Sequence, residues 1–319
     1  MNPSVLDPVR RPAAVSSLPF LEEHLNVNWL RPESALWDTV ASSAMAPFRM
    51  EPPSLDLGSG NGIFSFITAG GAFSEEYDWY RNVDPTGFWE NRDVYDCFRA
   101  GPPPEWITRR PRIQIDWALD HKENLLRQAA ALDFYRQTKV ANANHRLPFE
   151  EESFQTVFSN ILYWLDSLEF SLKEVWRVLR PGGRALLSFP DRRFIDFCVS
   201  FRWGKQGSRM LKMLNRGRSE NIRWTASASE FKATAERLRF KVVSRTDYIS
   251  PLTLRVWDIG LRPLSPVLIR LMNQLGESDR VSVKREWVGI LLPFLRELTD
   301  LDKGSRKPGG YHLVCLEKK

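Results

Sequence analysis

From residue 54 onward, short apolar runs alternate with amphipathic stretches, the pattern of a sheet whose strands are joined by helices. Ser54-Leu55-Asp56-Leu57 reads as a first strand, and Ile63-Phe64-Ser65-Phe66-Ile67 opens a helix after a glycine turn. A second strand is predicted at 112–116 and a short third near 139–141. Between them, Asp120-His121-Lys122-Glu123 has the D-x-x-E form of a capping box for a helix over 124–129. A fourth strand falls at 156–159. The helix over 168–179 carries Leu168, Leu172, Val175, Trp176 and Leu179 on one face. Pro181-Gly182-Gly183 stops it ahead of a fifth strand at 184–189. Beyond Pro190 the pattern is helical and basic, with Arg216-Gly217-Arg218 as a polar turn. Strands six and seven are predicted at 240–244 and 311–316.

Three stretches do not fit this alternation. Residues 1–50 are punctuated by proline and serine and hold two amphipathic patches, 20–25 and 35–40, each long enough for helical turns. They form either a cap over the crevice or a loosely packed arm. Residues 72–110 delay the second strand well beyond an ordinary loop and are rich in aromatics: Tyr77, Trp79, Tyr80, Phe88, Trp89, Tyr95 and Phe98. An aromatic insertion of this density predicts order, either as a lid shaping a pocket or as a mini-core. Residues 249–310 form a second, helical insertion before the last strand. Arg255, Arg262 and Arg270 lie there among Trp257, Leu261, Leu264, Leu268 and Leu271, a composition that suits a buried lid, a homodimer face or a peripheral membrane contact. The chain thus divides into an N-terminal cap at 1–50 and one α/β domain at 51–319.

The densest chemistry is Gly58-Ser59-Gly60-Asn61-Gly62. Glycines on alternate positions let the backbone turn sharply and approach a ligand with no Cβ in the way. The N–H groups of the following helix face whatever sits on that turn. The spacing is G-x-G-x-G rather than G-x-G-x-x-G, and no Lys-Ser/Thr pair follows as a phosphate-binding loop requires. By itself the turn specifies a ligand-binding α/β crevice.

About a hundred residues downstream, Leu147-Pro148-Phe149-Glu150-Glu151-Glu152-Ser153-Phe154-Gln155-Thr156-Val157-Phe158-Ser159 leads to Glu174-Val175-Trp176-Arg177-Val178-Leu179-Arg180-Pro181-Gly182-Gly183. With the glycine turn, this ordered pair resembles the class I S-adenosylmethionine-dependent methyltransferases, in their small-molecule branch. The resemblance covers roughly residues 54–190. It implies a doubly wound, mostly parallel seven-stranded sheet with S-adenosylmethionine at the carboxyl ends of its strands. It also implies site residues. Gly58, Ser59, Gly60, Asn61 and Gly62 would pack against the nucleoside and methionine parts. Asp56 would accept from the ligand ammonium, or else cap the local turn as a buried acid. Asp116 is the preferred ribose acceptor at the end of the second strand, with Asp120 its rival. Asn142, Ala143 and Asn144 stand where the family has an acid for adenine. Ser159 and Asn160 would sit between cofactor and acceptor, and Tyr163 and Trp164 would line the acceptor side. A hydroxyl acceptor needs a base; His145, Tyr163 and Asp166 are the candidates, His145 being equally readable as a solvated loop residue.

Composition adds bounds. The 319 residues carry a net charge of +6, so methylation of RNA or protein enters as an alternative to a small-molecule acceptor. No appended nucleic-acid module is visible, and Ser159-Asn160-Ile161 stands in place of the Asn/Asp-Pro-Pro-Tyr/Phe motif of enzymes that methylate base amino groups. The missing adenine acid leaves a non-catalytic scaffold subunit as a further alternative. Cys97, Cys198 and Cys315 lie far apart and the four histidines are unpaired, so no metal site or disulfide framework is expected. With no signal peptide or spanning segment in the sequence, a cytoplasmic protein is expected.

Overall fold

The computed structural model describes residues 19–83, 94–97, 101–102, 104–200, 211, 221–303 and 309–319. The expected aromatics Phe88, Trp89 and Phe98 and the turn Arg216-Gly217-Arg218 lie outside the described residues.

A seven-stranded sheet forms the centre, in the order β5-β4-β1-β6-β7-β9-β8. Its strands are β1 (Ser54–Leu57), β4 (Ile115–Asp120), β5 (Tyr135–Val140), β6 (Phe154–Ser159), β7 (Leu179–Pro190), β8 (Phe240–Tyr248) and β9 (Tyr311–Lys318). β1 pairs in parallel with β4 on one side and β6 on the other. β9 alone runs antiparallel, between β7 and β8. The sheet is therefore the doubly wound, mostly parallel one the sequence predicts. All four residues of β1 are buried, as a central parallel strand covered on both faces requires. Successive strands are added on one side of β1 as far as β5 and on the other side from β6, so the winding switches between β1 and β6. Strand order there opens a crevice beyond the carboxyl ends, and the glycine turn stands at its mouth.

The main core lies between the sheet and α5 (Leu168–Val178), where Leu172, Val175 and Val178 are fully buried. Ser167 caps this helix by accepting from the N–H of Phe170 at 3.2 Å. The helix passes directly into β7, which begins at Leu179 rather than after Gly183. Gly182 takes a left-handed φ of 75° within that strand's opening turn.

Two predicted boundaries are corrected. β4 starts three residues later than expected and runs on to Asp120, because Ile115, Ala118 and Leu119 are the positions that bury against neighbouring strands. The capping box is not formed. α4 (Glu123–Ala131) follows Lys122, whose side chain makes no capping hydrogen bond, and Asp120 is still part of the strand.

The N-terminal patches are helices, α1 (Leu21–Val27) and α2 (Pro32–Met45), with Leu25 and Ala35 fully buried. They pack on the molecule and are not a loose arm. In the first insertion, β2 (Ala72–Phe73) pairs with β3 (Ile107–Arg109) in a small separate sheet. Beside it Phe73, Tyr77 and Phe66 stack into an aromatic core, with centroids 4.5 Å and 5.1 Å apart. The second insertion consists of helices Pro251–Ile259, Ser265–Met272 and Glu277–Lys303. It is clamped to the first by Arg280, whose Nε lies 2.5 Å from Asp78 Oδ2 with both side chains buried. Asp78 Oδ1 accepts from Trp29 Nε1 at 3.0 Å, so one carboxylate ties the N-terminal segment to both insertions. Among the described residues, no helix is long and apolar enough to cross a membrane. The three cysteines are buried and unbridged.

Candidate functional site

All three glycines of the turn take positive φ, 81°, 57° and 74° for Gly58, Gly60 and Gly62, a conformation costly for other residues. Their surroundings differ. A Cβ on Gly58 would lie 2.0 Å from Ile161 Cγ1, and one on Gly62 would lie 2.5 Å from the Tyr135 ring. A Cβ on Gly60 would meet nothing within 4 Å. Two of the glycines close the turn against protein, and the middle one faces open crevice. The turn is pinned to the end of β4, where Leu119 O accepts from Gly58 N at 2.7 Å and Ser59 N at 3.1 Å.

Asp120 completes this cradle. Its Oδ2 accepts from Gly60 N at 3.0 Å and its Oδ1 from Lys122 N at 2.9 Å. Burial opposes its charge, but hydrogen bonds from His121 and from the N–H groups of Lys122 and Gly60 outweigh that and hold its carboxyl below the usual range. A carboxylate offers about four lone-pair directions, so beside those three donors one stays available for a ligand hydroxyl. Across the cradle, Asn142 Oδ1 accepts from Asn144 N at 2.9 Å, which fixes a short turn whose residues 142–144 also line the crevice. Asn160 lines it from the end of β6.

Four expected site residues are elsewhere. Asp116 sits at the entering end of β4, opposite the crevice, where its Oδ2 accepts from Ser54 N at 2.8 Å and its Oδ1 pairs with Arg136. The longer strand moves the crevice-facing acid to Asp120. Asp56 is 1% exposed and sealed beneath the glycine turn, accepting from Ser65 Oγ at 2.6 Å and Tyr135 OH at 2.7 Å. Burial pushes its carboxyl up to about 6 despite those bonds. It supports the turn from behind and does not line the crevice. Gly62 is likewise packed against Tyr135. Ser159 is fully buried and donates to Leu57 O at 2.8 Å, joining β6 to β1 below the crevice.

Of the proposed bases, His145 is exposed and outside the crevice lining. Asp166 is also exposed, 3.7 Å from Arg223 Nε. Tyr163 does line the crevice with Trp164, but burial pushes its hydroxyl up to about 12, a poor proton acceptor at neutral pH.

The far wall comes from residues that the motif analysis does not reach. α1, α2 and the link between them supply His24, Asn28, Arg31, Trp37 and Asp38; the first insertion gives Trp79 and Tyr95, the second Trp257 and Arg262, and β9 Tyr311. Trp37 packs against Trp257 at 4.5 Å and edge-on to Tyr311 at 4.8 Å, and Tyr163 meets Tyr311 at 5.6 Å. The lone acid in the apolar patch Leu36-Trp37-Asp38-Thr39-Val40 was the available signal for Asp38. Both halves line one cavity of about 490 Å³, within the usual range for a small-molecule site.

The sheet order and the cradle at its switch point are those that the resemblance of residues 54–190 to the class I S-adenosylmethionine-dependent methyltransferases implies. Residues 103–187 match the methyltransferase domain family. The chain is 36% identical over 95 residues to a malonyl-[acyl-carrier protein] O-methyltransferase of Erwinia pyrifoliae, covering 28% of this chain and 35% of that protein. The corresponding protein of Erwinia billingiae is 35% identical over 95 residues, covering 28% and 36%. The chain thus spans about a third of the length of the curated relatives it matches. It is also similar to an S-adenosylmethionine-dependent methyltransferase structure from Thermotoga maritima, at 13% identity and a TM-score of 0.44, over 90% of this chain and 91% of that one.

Proposed function

We propose that this protein transfers a methyl group from S-adenosylmethionine to a small organic acceptor, a secondary metabolite or lipid-like intermediate. The observation that carries this reading is one cavity with two chemically distinct halves. Gly58, Gly60, Asp120 and residues 142–144 would hold the nucleoside, the Asp120 carboxylate taking a ribose hydroxyl and the Asn142 or Asn144 amide an adenine edge. The open face of Gly60 suits close approach of a flat, bulky group. When bound, the cofactor supplies a methyl group made electrophilic by its positive sulfur. The residues of this chain then have to align the acceptor and exclude water, which the aromatic wall does.

The wall also favours a small acceptor over RNA or protein, because Trp37, Trp257 and Tyr311 pack on one another into one apolar face of the cavity. The relatives' named acceptor is a malonyl group carried on a protein; the family match, residues 103–187, includes none of α1, α2 and the second insertion, so that acceptor is not carried over.

Calorimetry with S-adenosylmethionine tests the reading. The wild-type protein is expected to bind and Asp120→Ala to bind about 10- to 100-fold more weakly, as expected for loss of a charged hydrogen-bond acceptor. No heat of binding to the wild type overturns it. Incubation with methyl-labelled cofactor and a small-molecule extract, beside RNA and protein fractions, assigns the acceptor class; binding without product in any fraction would favour a scaffold subunit.

A further inference from the structure

We infer that Asp38 is the proton acceptor of this site and that the acceptor is a flat, apolar molecule bearing a phenolic or enolic hydroxyl. This rests on the methyltransferase reading above. Asp38 lies on α2 at the aromatic end of the cavity, next to Trp37 and within electrostatic reach of Tyr163 and Tyr248. Its Oδ2 accepts from Asn28 Nδ2 at 3.2 Å. Among the described residues its Oδ1 has no hydrogen-bond partner and the carboxylate forms no ion pair. An acid among tryptophans, with one oxygen satisfied and the other left open to the cavity, is arranged to meet a ligand.

The groups facing Asp38 set its behaviour. Arg31, from the link between α1 and α2, favours its charge but is drawn toward Glu33, 3.4 Å away. Asn28 also favours the charge; Tyr163, Tyr248 and the Trp37–Trp257 pair bring no cation. Arg262 lines the same cavity from the second insertion. Burial wins and pushes the carboxyl up to about 7, where it exchanges a proton at neutral pH.

The same carboxylate restricts the acceptor. An acidic acceptor would be repelled by it. A basic amine beside it would be held as an ammonium, without the lone pair that methylation needs. A neutral hydroxyl on a flat ring satisfies both the carboxylate and the aromatic walls. In the step, the acceptor oxygen forms the new O–C bond to the methyl group while the C–S pair stays on sulfur. The hydroxyl proton passes to Asp38 Oδ1. The sulfonium and carboxylate charges cancel, so a neutral thioether, a neutral acid and the methyl ether remain.

The test uses the full chain loaded with S-adenosylhomocysteine, wild type and Asp38→Asn, which keeps the shape and an oxygen for Asn28. Both are expected to bind S-adenosylhomocysteine within threefold of each other; a large loss in Asp38→Asn would place Asp38 in the cofactor half and overturn the proposal. The probe is 2-naphthol, with 2-methoxynaphthalene as its counterpart lacking the proton. Calorimetry on the loaded wild type should show 2-naphthol binding tighten about tenfold from pH 5.5 to 8.5, with no such change for 2-methoxynaphthalene or for Asp38→Asn. Methyl transfer to 2-naphthol at pH 8 should fall about 100-fold in Asp38→Asn. A pH response that survives in Asp38→Asn, appears equally with the ether, or is missing in the wild type overturns the role of Asp38. Failure of the wild type to bind S-adenosylhomocysteine at all removes the methyltransferase reading, and this proposal with it.

Discussion

The glycine side of the crevice and its aromatic side are built in opposite ways. The glycine side is made of residues at the carboxyl ends of neighbouring parallel strands: 58–61 after β1, Asp120 at the end of β4 with 121–122 after it, 141–144 after β5 and 160 after β6. Each lies within a few residues of a strand of the sheet, so the sheet itself supplies the rigidity. The aromatic side gathers residues far apart in the chain, Trp37 against Trp257 and Trp37 against Tyr311. Tyr311 alone of these sits in the sheet; Trp37 and Trp257 stand on helices outside it, where buried side-chain clamps such as Arg280–Asp78 supply the rigidity. Damage to the glycine side should therefore strike cofactor binding, whereas damage to the clamps should loosen the acceptor side first.

The largest effect should come from the clamp. Arg280→Ala leaves Asp78 buried without its cation and should cost about 3–5 kcal/mol in urea unfolding. Affinity for S-adenosylhomocysteine in the folded protein should change less than threefold; a loss confined to that affinity would erase the distinction between the sides. Next is the support beneath the glycine turn. Asp56→Ala strands two buried hydroxyls, on Ser65 and Tyr135, and should cost about 2–4 kcal/mol.

Asp56 also carries a pH signature. Its folded carboxyl holds a proton up to about 6 against an ordinary 3.8, so the folded state binds that proton more tightly than the unfolded chain. Stability from this group is fully present below about pH 4 and is lost as pH climbs to about 6, by at most about 3 kcal/mol. Urea unfolding between pH 4 and 7 should show a steeper fall in wild type than in Asp56→Asn; parallel curves would mean that Asp56 is ionised throughout.

Gly60→Ala sharpens the contrast within the turn. It meets no protein atom, so only its left-handed φ should cost stability, about 1–2 kcal/mol. Its methyl group would nevertheless occupy the crevice and weaken S-adenosylmethionine at least tenfold by calorimetry. Unchanged affinity would mean that no ligand approaches there. The smallest effect is expected at the far end of β4: Asp116→Ala should leave cofactor affinity within twofold, because that carboxylate points away from the crevice.

Much of the fold is legible because its periods are local. The buried run of β1, the amphipathic face of α5 and the alternation of strands with helices all follow from residues within one element. The glycine turn is equally local. The acid at the end of β4 is not, since Asp116 and Asp120 both follow apolar residues and only pairing with β1 and β5 decides where the strand stops. Asp56 misleads for a similar reason. Its neighbours in sequence suggest an acid at the crevice floor, and Tyr135, 79 positions away, covers it.

The sequence by itself determined a parallel sheet, a glycine turn after its first strand and an ordered pair of motifs, because periodicity and backbone freedom act over a handful of residues. Tertiary structure alone decided which carboxylates face the crevice and which face protein. It also brought Trp37, Asp38, Trp257 and Tyr311 to one wall, since contacts across 200 or more positions depend on how separate elements pack and leave no trace in any local pattern.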